Sequence, residues 1–167
     1  VLTDDFGYGD LGSYGGQFVP TPNLDRMARE GIRFTQFYVA SPICSPSRTG
    51  ILTGMYPARW RITSYLQTRK GNAACGQVDF LDPQAPSVAR VLKSAGYATA
   101  HFGKWHMGHD SDEPRPGFTH WAGFRGQGDY SRVTFTRQGD RERIDVYRPQ
   151  VLHALRRVSS AARPRRA

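Results

Sequence analysis

The sequence predicts an α/β fold with a mostly parallel sheet and helices on both faces. Three observations predict it. Strand-type and helix-type runs alternate along the chain. The first apolar run breaks straight into paired carboxylates and glycines, as at the carboxyl edge of an open sheet. The 167 residues suffice for one sizeable core, hiding about two-thirds of the unfolded surface. In chain order, Val1-Leu2-Thr3 reads as the end of a buried strand, and Asp4-Asp5-Phe6-Gly7-Tyr8-Gly9-Asp10 as the loop it enters. Residues 21–31 read as a helix: Thr21 caps it, Pro22 takes the first position, Leu24, Met27 and Ala28 share one face, and Gly31 closes it. Residues 32–39 read as a strand leading to the next loop. A helix starts just after Cys44, with Ser45 as its cap, Pro46 in the first position where a missing N–H costs nothing, and Gly54 as its end. Residues 86–95 read as a further helix and 97–102 as a short strand.

Three constellations carry chemistry. Cys44-Ser45-Pro46-Ser47-Arg48, with Thr49-Gly50-Ile51-Leu52-Thr53-Gly54 behind it, sets a thiol at a helix start. Backbone N–H groups and the positive helix end there suit an anionic substrate. Arg48 lies one turn further on; taken alone it would be a solvated helix arginine, and a lone cysteine a small buried hydrophobe. Asp4 and Asp5 repel each other unless a cation lies between them, and their hard oxygens suit Ca²⁺ or Mg²⁺. Strand neighbours face opposite ways, so both reach one ion only if the chain already turns at Asp5, which Gly7 and Gly9 permit. Alone, the pair reads equally as solvated loop residues. In Gly103-Lys104-Trp105-His106-Met107-Gly108, an extended backbone places Lys104 and His106 on one face. A lysine beside a histidine makes a compact cationic site that suits an anionic group and a leaving oxygen in need of a proton, although His106 by itself reads as a structural histidine. His101 and His109 have no role in this reading.

The Cys-x-Pro-x-Arg run with its Leu-Thr-Gly tail resembles the sulfatase signature, and the Asp-Asp and Gly-Lys-Trp-His-x-Gly blocks occur in that family's order. Pro116-Gly117-Phe118-Thr119-His120-Trp121 resembles the glycine-aromatic stretch that follows them. The resemblance covers residues 1 to about 130, and residues 133–146 resemble a family hairpin. It implies an alkaline-phosphatase-like fold, of which this chain is the N-terminal part of a larger domain. It implies that a formylglycine-generating enzyme oxidises Cys44 to an aldehyde. One hydroxyl of the hydrated aldehyde then attacks sulfur and the alcohol leaves; the other loses its proton, the aldehyde re-forms and sulfate departs. A serine would be left as a sulfate ester with no easy exit. Arg48 would orient the diol, Lys104 would bind sulfate, and His106 would sit beside the scissile bond. Asp4, Asp5 and Cys44 would bind calcium, in preference to magnesium. Sulfatases add later metal and sulfate ligands, and no Asp-Asn or Asp-His-Gly run follows His109 here. The expectation is a sulfate-ester hydrolase segment, inactive or nearly so alone, with sulfated carbohydrate preferred over aryl sulfates. Residues 65–72 face the alcohol side or form a surface loop. The family resemblance implies a periplasmic or secreted setting. A related phosphatase or phosphodiesterase would use Ser or Thr with zinc, against the Cys-x-Pro-x-Arg pattern.

Charge divides the chain. The formal net charge is +9, yet residues 131–167 contribute +7 through ten arginines and three acids, and residues 1–130 only +2. The expected division is a partial catalytic domain over 1–147 and an Arg-rich tail over 148–167, disordered or read out of frame. With no RNA-binding motif or aromatic platform near it, the tail does not argue for nucleic acid. Only three residues precede Asp4, where a strand averages about five or six, so an upstream segment is expected. No run approaches the roughly eighteen apolar residues of a membrane span. A Cys44–Cys75 disulfide stays open if Cys44 is unconverted.

Overall fold

In the computed structural model, residues 2–108, 117–124, 133–137 and 140–144 are described. They divide into two compact units, one up to Tyr38 and one from Val39 onward.

The first unit holds two 3₁₀ turns, Tyr8–Asp10 and Gly12–Tyr14, and helix α1, Pro22–Glu30. Pro22 and Gly31 begin and close α1 as the sequence predicts. Thr21 does not cap α1 with its side chain: its Oγ1 accepts from Gly12 N at 2.9 Å and donates to Asp25 Oδ1 at 3.0 Å. Two expected strands are absent. Leu2 and Thr3 are exposed and outside any strand, and so is the 32–39 run. A strand needs a ladder partner and a face to bury, whereas Ile32, Phe37 and Tyr38 are 81%, 76% and 80% exposed. Phe34 and Phe37 instead meet ring to ring at 5.4 Å, a spacing of three that pleated alternation does not give.

In the second unit, helix α2 spans Cys44–Thr53, α3 Arg69–Ala74 and α4 Val88–Ser94. Strands β1 (Ala100–Lys104) and β2 (His120–Phe124) pair in parallel, Ala100 opposite His120. β3 (Val133–Arg137) joins β2 antiparallel, and β4 (Asp140–Ile144) completes the hairpin expected near the end of the chain. The order is β1-β2-β3-β4, so the chain is α/β with a parallel pair at the edge that carries the candidate site. α4 starts at Val88, capped by Ser87 Oγ accepting from Arg90 N at 3.1 Å. β1 starts later than expected, because Gly96 (φ +84) and the Tyr97 N–H to Leu92 carbonyl bond at 3.0 Å still belong to the end of α4. The arginine-rich tail assigned to 148–167 lies outside the described residues.

The core gathers Leu52, Ile62, Leu66, Leu81, Ala85, Trp105, Met107 and Trp121. Gly117 has φ +86, and a Cβ there would stand 2.6 Å from the Ala89 carbonyl carbon and 2.7 Å from Arg90 Cα. The chain approaches α4 too closely for any side chain. Gly117→Ala is therefore expected to cost more than ~2 kcal/mol in chemical denaturation, from a left-handed backbone and a clash together; an unchanged midpoint contradicts that packing.

Candidate active site

Cys44 opens the first turn of α2 and is half-buried. The helix begins two residues earlier than the sequence suggests, with Ile43 in the extended cap position (φ −112, ψ 145). Pro46 sits third and still breaks nothing, since the first-turn N–H groups have no intrahelical acceptor. Ser45 therefore does not cap. It faces inward, fully buried, and its Oγ accepts from Leu66 N at 2.9 Å. Thr49 and Thr53 hide their hydroxyls on the carbonyls four residues back, at 2.8 and 2.7 Å. That leaves a buried face of Ser45, Pro46, Thr49, Leu52 and Thr53 against the core. Gly54, at φ +68, ends the helix as expected.

Arg48, half-buried on the same helix, donates from a guanidinium nitrogen to the Lys104 carbonyl at 2.6 Å. This bond joins the Cys44 helix to the end of β1. Lys104 and His106 are each 7% exposed, unusual depth for polar side chains of this size. The expected extended alternation stops between them. Lys104 ends β1, Trp105 N still bonds the Phe124 carbonyl at 3.1 Å, and His106 turns to φ +54. The Met107 carbonyl is then free to accept Leu81 N at 2.9 Å, which draws the chain away from β2. His106 is held by position instead: its Nε2 lies 3.1 Å from the Leu66 carbonyl.

The loop bearing Leu66 is irregular but anchored. Gln77 Oε1 accepts from Thr63 N and Ser64 N at 3.0 and 2.7 Å, and Asn72 Oδ1 from Gln67 N at 2.7 Å. Asn72 is fully buried and Gln77 nearly so, so these amides substitute for a sheet ladder. Neither was legible as functional in the sequence, because no motif marks a buried amide five to fourteen residues from its partner. Nor was His101. Its ring stacks on Trp121 at 4.4 Å and meets Trp105 edge-on at 5.4 Å. Burial pushes its pKa down from 6.5 to about 4, the Gly103 carbonyl opposes that, and the positive Arg48 adds to it. It is a neutral aromatic member of the support beneath the site.

Asp4 and Asp5 belong to the first unit. The chain bends there, with Asp5 at φ +55, as a shared cation would require. Their oxygens fit a hard cation in kind, but calcium takes about six to eight oxygen ligands. Among the described residues no group of three or more His, Cys, Asp or Glu is placed to hold a metal ion. Among the described residues the donors thus fall short in number. Cys44 and Cys75 are both free thiols. Among the described residues no helix is long and apolar enough to cross a membrane.

The family model described as Sulfatase matches residues 1–158. A steryl-sulfatase of Mus musculus is 46% identical over 114 residues, covering 65% of this chain and 17% of that protein. An N-acetylgalactosamine-6-sulfatase of Canis lupus familiaris is 44% identical over 126 residues, covering 74% and 24%. The solved structure of BT4656 in complex with its substrate D-glucosamine-2-N,6-O-disulfate is 31% identical. It superposes with a TM-score of 0.80 over 98% of this chain and 30% of that one. The chain thus spans less than a quarter of the length of these two relatives. With the cysteine helix, the Lys104–His106 block and this breadth of likeness, the chain belongs to the sulfatase family.

Proposed function

We propose that these residues are the nucleophile-bearing part of a hydrolase of sulfate esters of carbohydrate. Cys44, after oxidation by a formylglycine-generating enzyme, supplies the attacking hydroxyl as a hydrated aldehyde. Asp4 and Asp5 would offer carboxylates to a calcium ion, which when bound would bring positive charge for an anionic ester. Everything else falls to the chain's own side chains. Arg48 keeps the first turn of α2 in register and offers positive charge beside residue 44. Lys104 holds the anionic group. His106 moves a proton at the ester or leaving oxygen. The observation that carries this reading is the 2.6 Å bond from Arg48 to the Lys104 carbonyl. Two sequence blocks 56 residues apart are held in one frame by it, as positioning of a reacting group demands. The carbohydrate preference is supported by the hexosamine sulfatases and the glucosamine disulfate complex among the similar proteins.

Two carboxylates are too few for a tight calcium site, so this segment alone is proposed to be inactive or nearly so. Calorimetric titration of the 167-residue chain with calcium is expected to show affinity no tighter than about 10⁻⁴ M. Sulfate release from a sulfated hexosamine should stay at background. Tight calcium binding, or turnover by this chain alone, contradicts the incomplete-site reading.

A further inference from the structure

We propose that Ser45 is the positioning residue for His106, acting through the backbone of Leu66, and that it fixes the imidazole with its proton on Nε2. Ser45 Oγ accepts the Leu66 N–H at 2.9 Å, and the Leu66 carbonyl lies 3.1 Å from His106 Nε2. A carbonyl has only lone pairs to offer, so the nitrogen facing it must carry hydrogen. Nδ1 is then the ring atom that takes up or releases a proton, and which nitrogen does so is decided by this contact. One residue thus spans from the side chain next to Cys44 to the imidazole.

Leu66 can serve as a ruler because it has little freedom. It is 7% exposed and in the core, and Gln77 and Asn72 hold the amides of Thr63, Ser64 and Gln67 around it. His106 is also kept at φ +54, a strained conformation for a non-glycine residue that persists only where its surroundings enforce it. Ser45 explains why the second position of the motif is buried here rather than spent on a cap. Its hydroxyl couples the placement of the nucleophile helix to that of the histidine. The functional meaning rests on the sulfatase reading; the tautomer does not.

Long-range ¹H–¹⁵N correlation of the full chain, above the ordinary titration range of imidazole, tests it. His106→Gln identifies the His106 signals by their loss. The wild-type chain is expected to show one tautomer, with a protonated-type Nε2 and an unprotonated Nδ1. Ser45→Ala should turn this into an averaged pattern and shift the Leu66 amide, and Ser45→Thr, which keeps the hydroxyl, should restore both. An Nδ1–H or averaged pattern in the wild type overturns the proposal, as does Ser45→Ala leaving the pattern unchanged. If Ser45→Ala does not fold, Ser45→Cys, which keeps the volume but is a weak acceptor, takes its place with the same two outcomes. Failure of Cys44 to become an aldehyde would count against the sulfatase reading and leave this result standing.

Discussion

Trp105→Ala is expected to cost about 3–5 kcal/mol, a large part of the ~5–15 kcal/mol that holds a domain of this kind. Trp105 is 2% exposed and sits between the two polar residues of its block. Its ring meets Trp121 at 4.9 Å and 75° and Phe118 at 6.3 Å and 88°. Edge-to-face contacts of this sort add to the area buried. Deleting the ring opens a cavity directly beneath Lys104 and His106, so the melting midpoint should fall by ~10 °C or more. Trp105→Phe is the control. The indole Nε1 has no acceptor among the described residues, so losing it while keeping a ring should cost only about 1 kcal/mol. Equal losses from both variants would show that the ring is not what supports this segment.

Acid should weaken the same cluster through His101. Its folded pKa is about 4 against 6.5 for the free side chain. A base whose folded pKa is depressed binds fewer protons folded than unfolded. Its contribution is therefore intact above pH 6.5 and lost as pH falls from 6.5 toward 4. The full loss is about 3 kcal/mol at most. Burial is the main cause, and Arg48, itself tied to Lys104, deepens it. Denaturant melts across that window should show stability falling with acid, and His101→Phe should flatten the slope. An equal slope in the variant would assign the acid sensitivity elsewhere.

The motifs of this chain were more legible than its strands. Cys44, Arg48, Lys104 and His106 stand out because the sulfatase-like blocks hold those residue types in that order, and α2, α4 and the hairpin follow from caps and glycines close in sequence. The 32–39 run looked like a strand because periodicity reports side-chain character, and whether a ladder partner exists is decided elsewhere in the chain. The backbone around Lys104 and His106 differs from the expected one. Alternation along a strand was expected, whereas the structure uses a left-handed turn at His106 and two long-range bonds, Arg48 to Lys104 and His106 to Leu66. Asn72, Gln77 and Ser45 act through backbone amides, which carry no residue-type signature.

Residue 44 decides whether the proposed chemistry holds. The chain should be co-produced with a formylglycine-generating enzyme, digested, and the mass of the peptide bearing Cys44 measured. The expected result is the mass of an aldehyde in place of the thiol, and an unchanged thiol in Arg48→Ala, which removes the motif's arginine. An unmodified thiol at Cys44 in the wild-type chain, beside a control sulfatase converted in the same cells, would contradict the assignment of Cys44 as the nucleophile precursor.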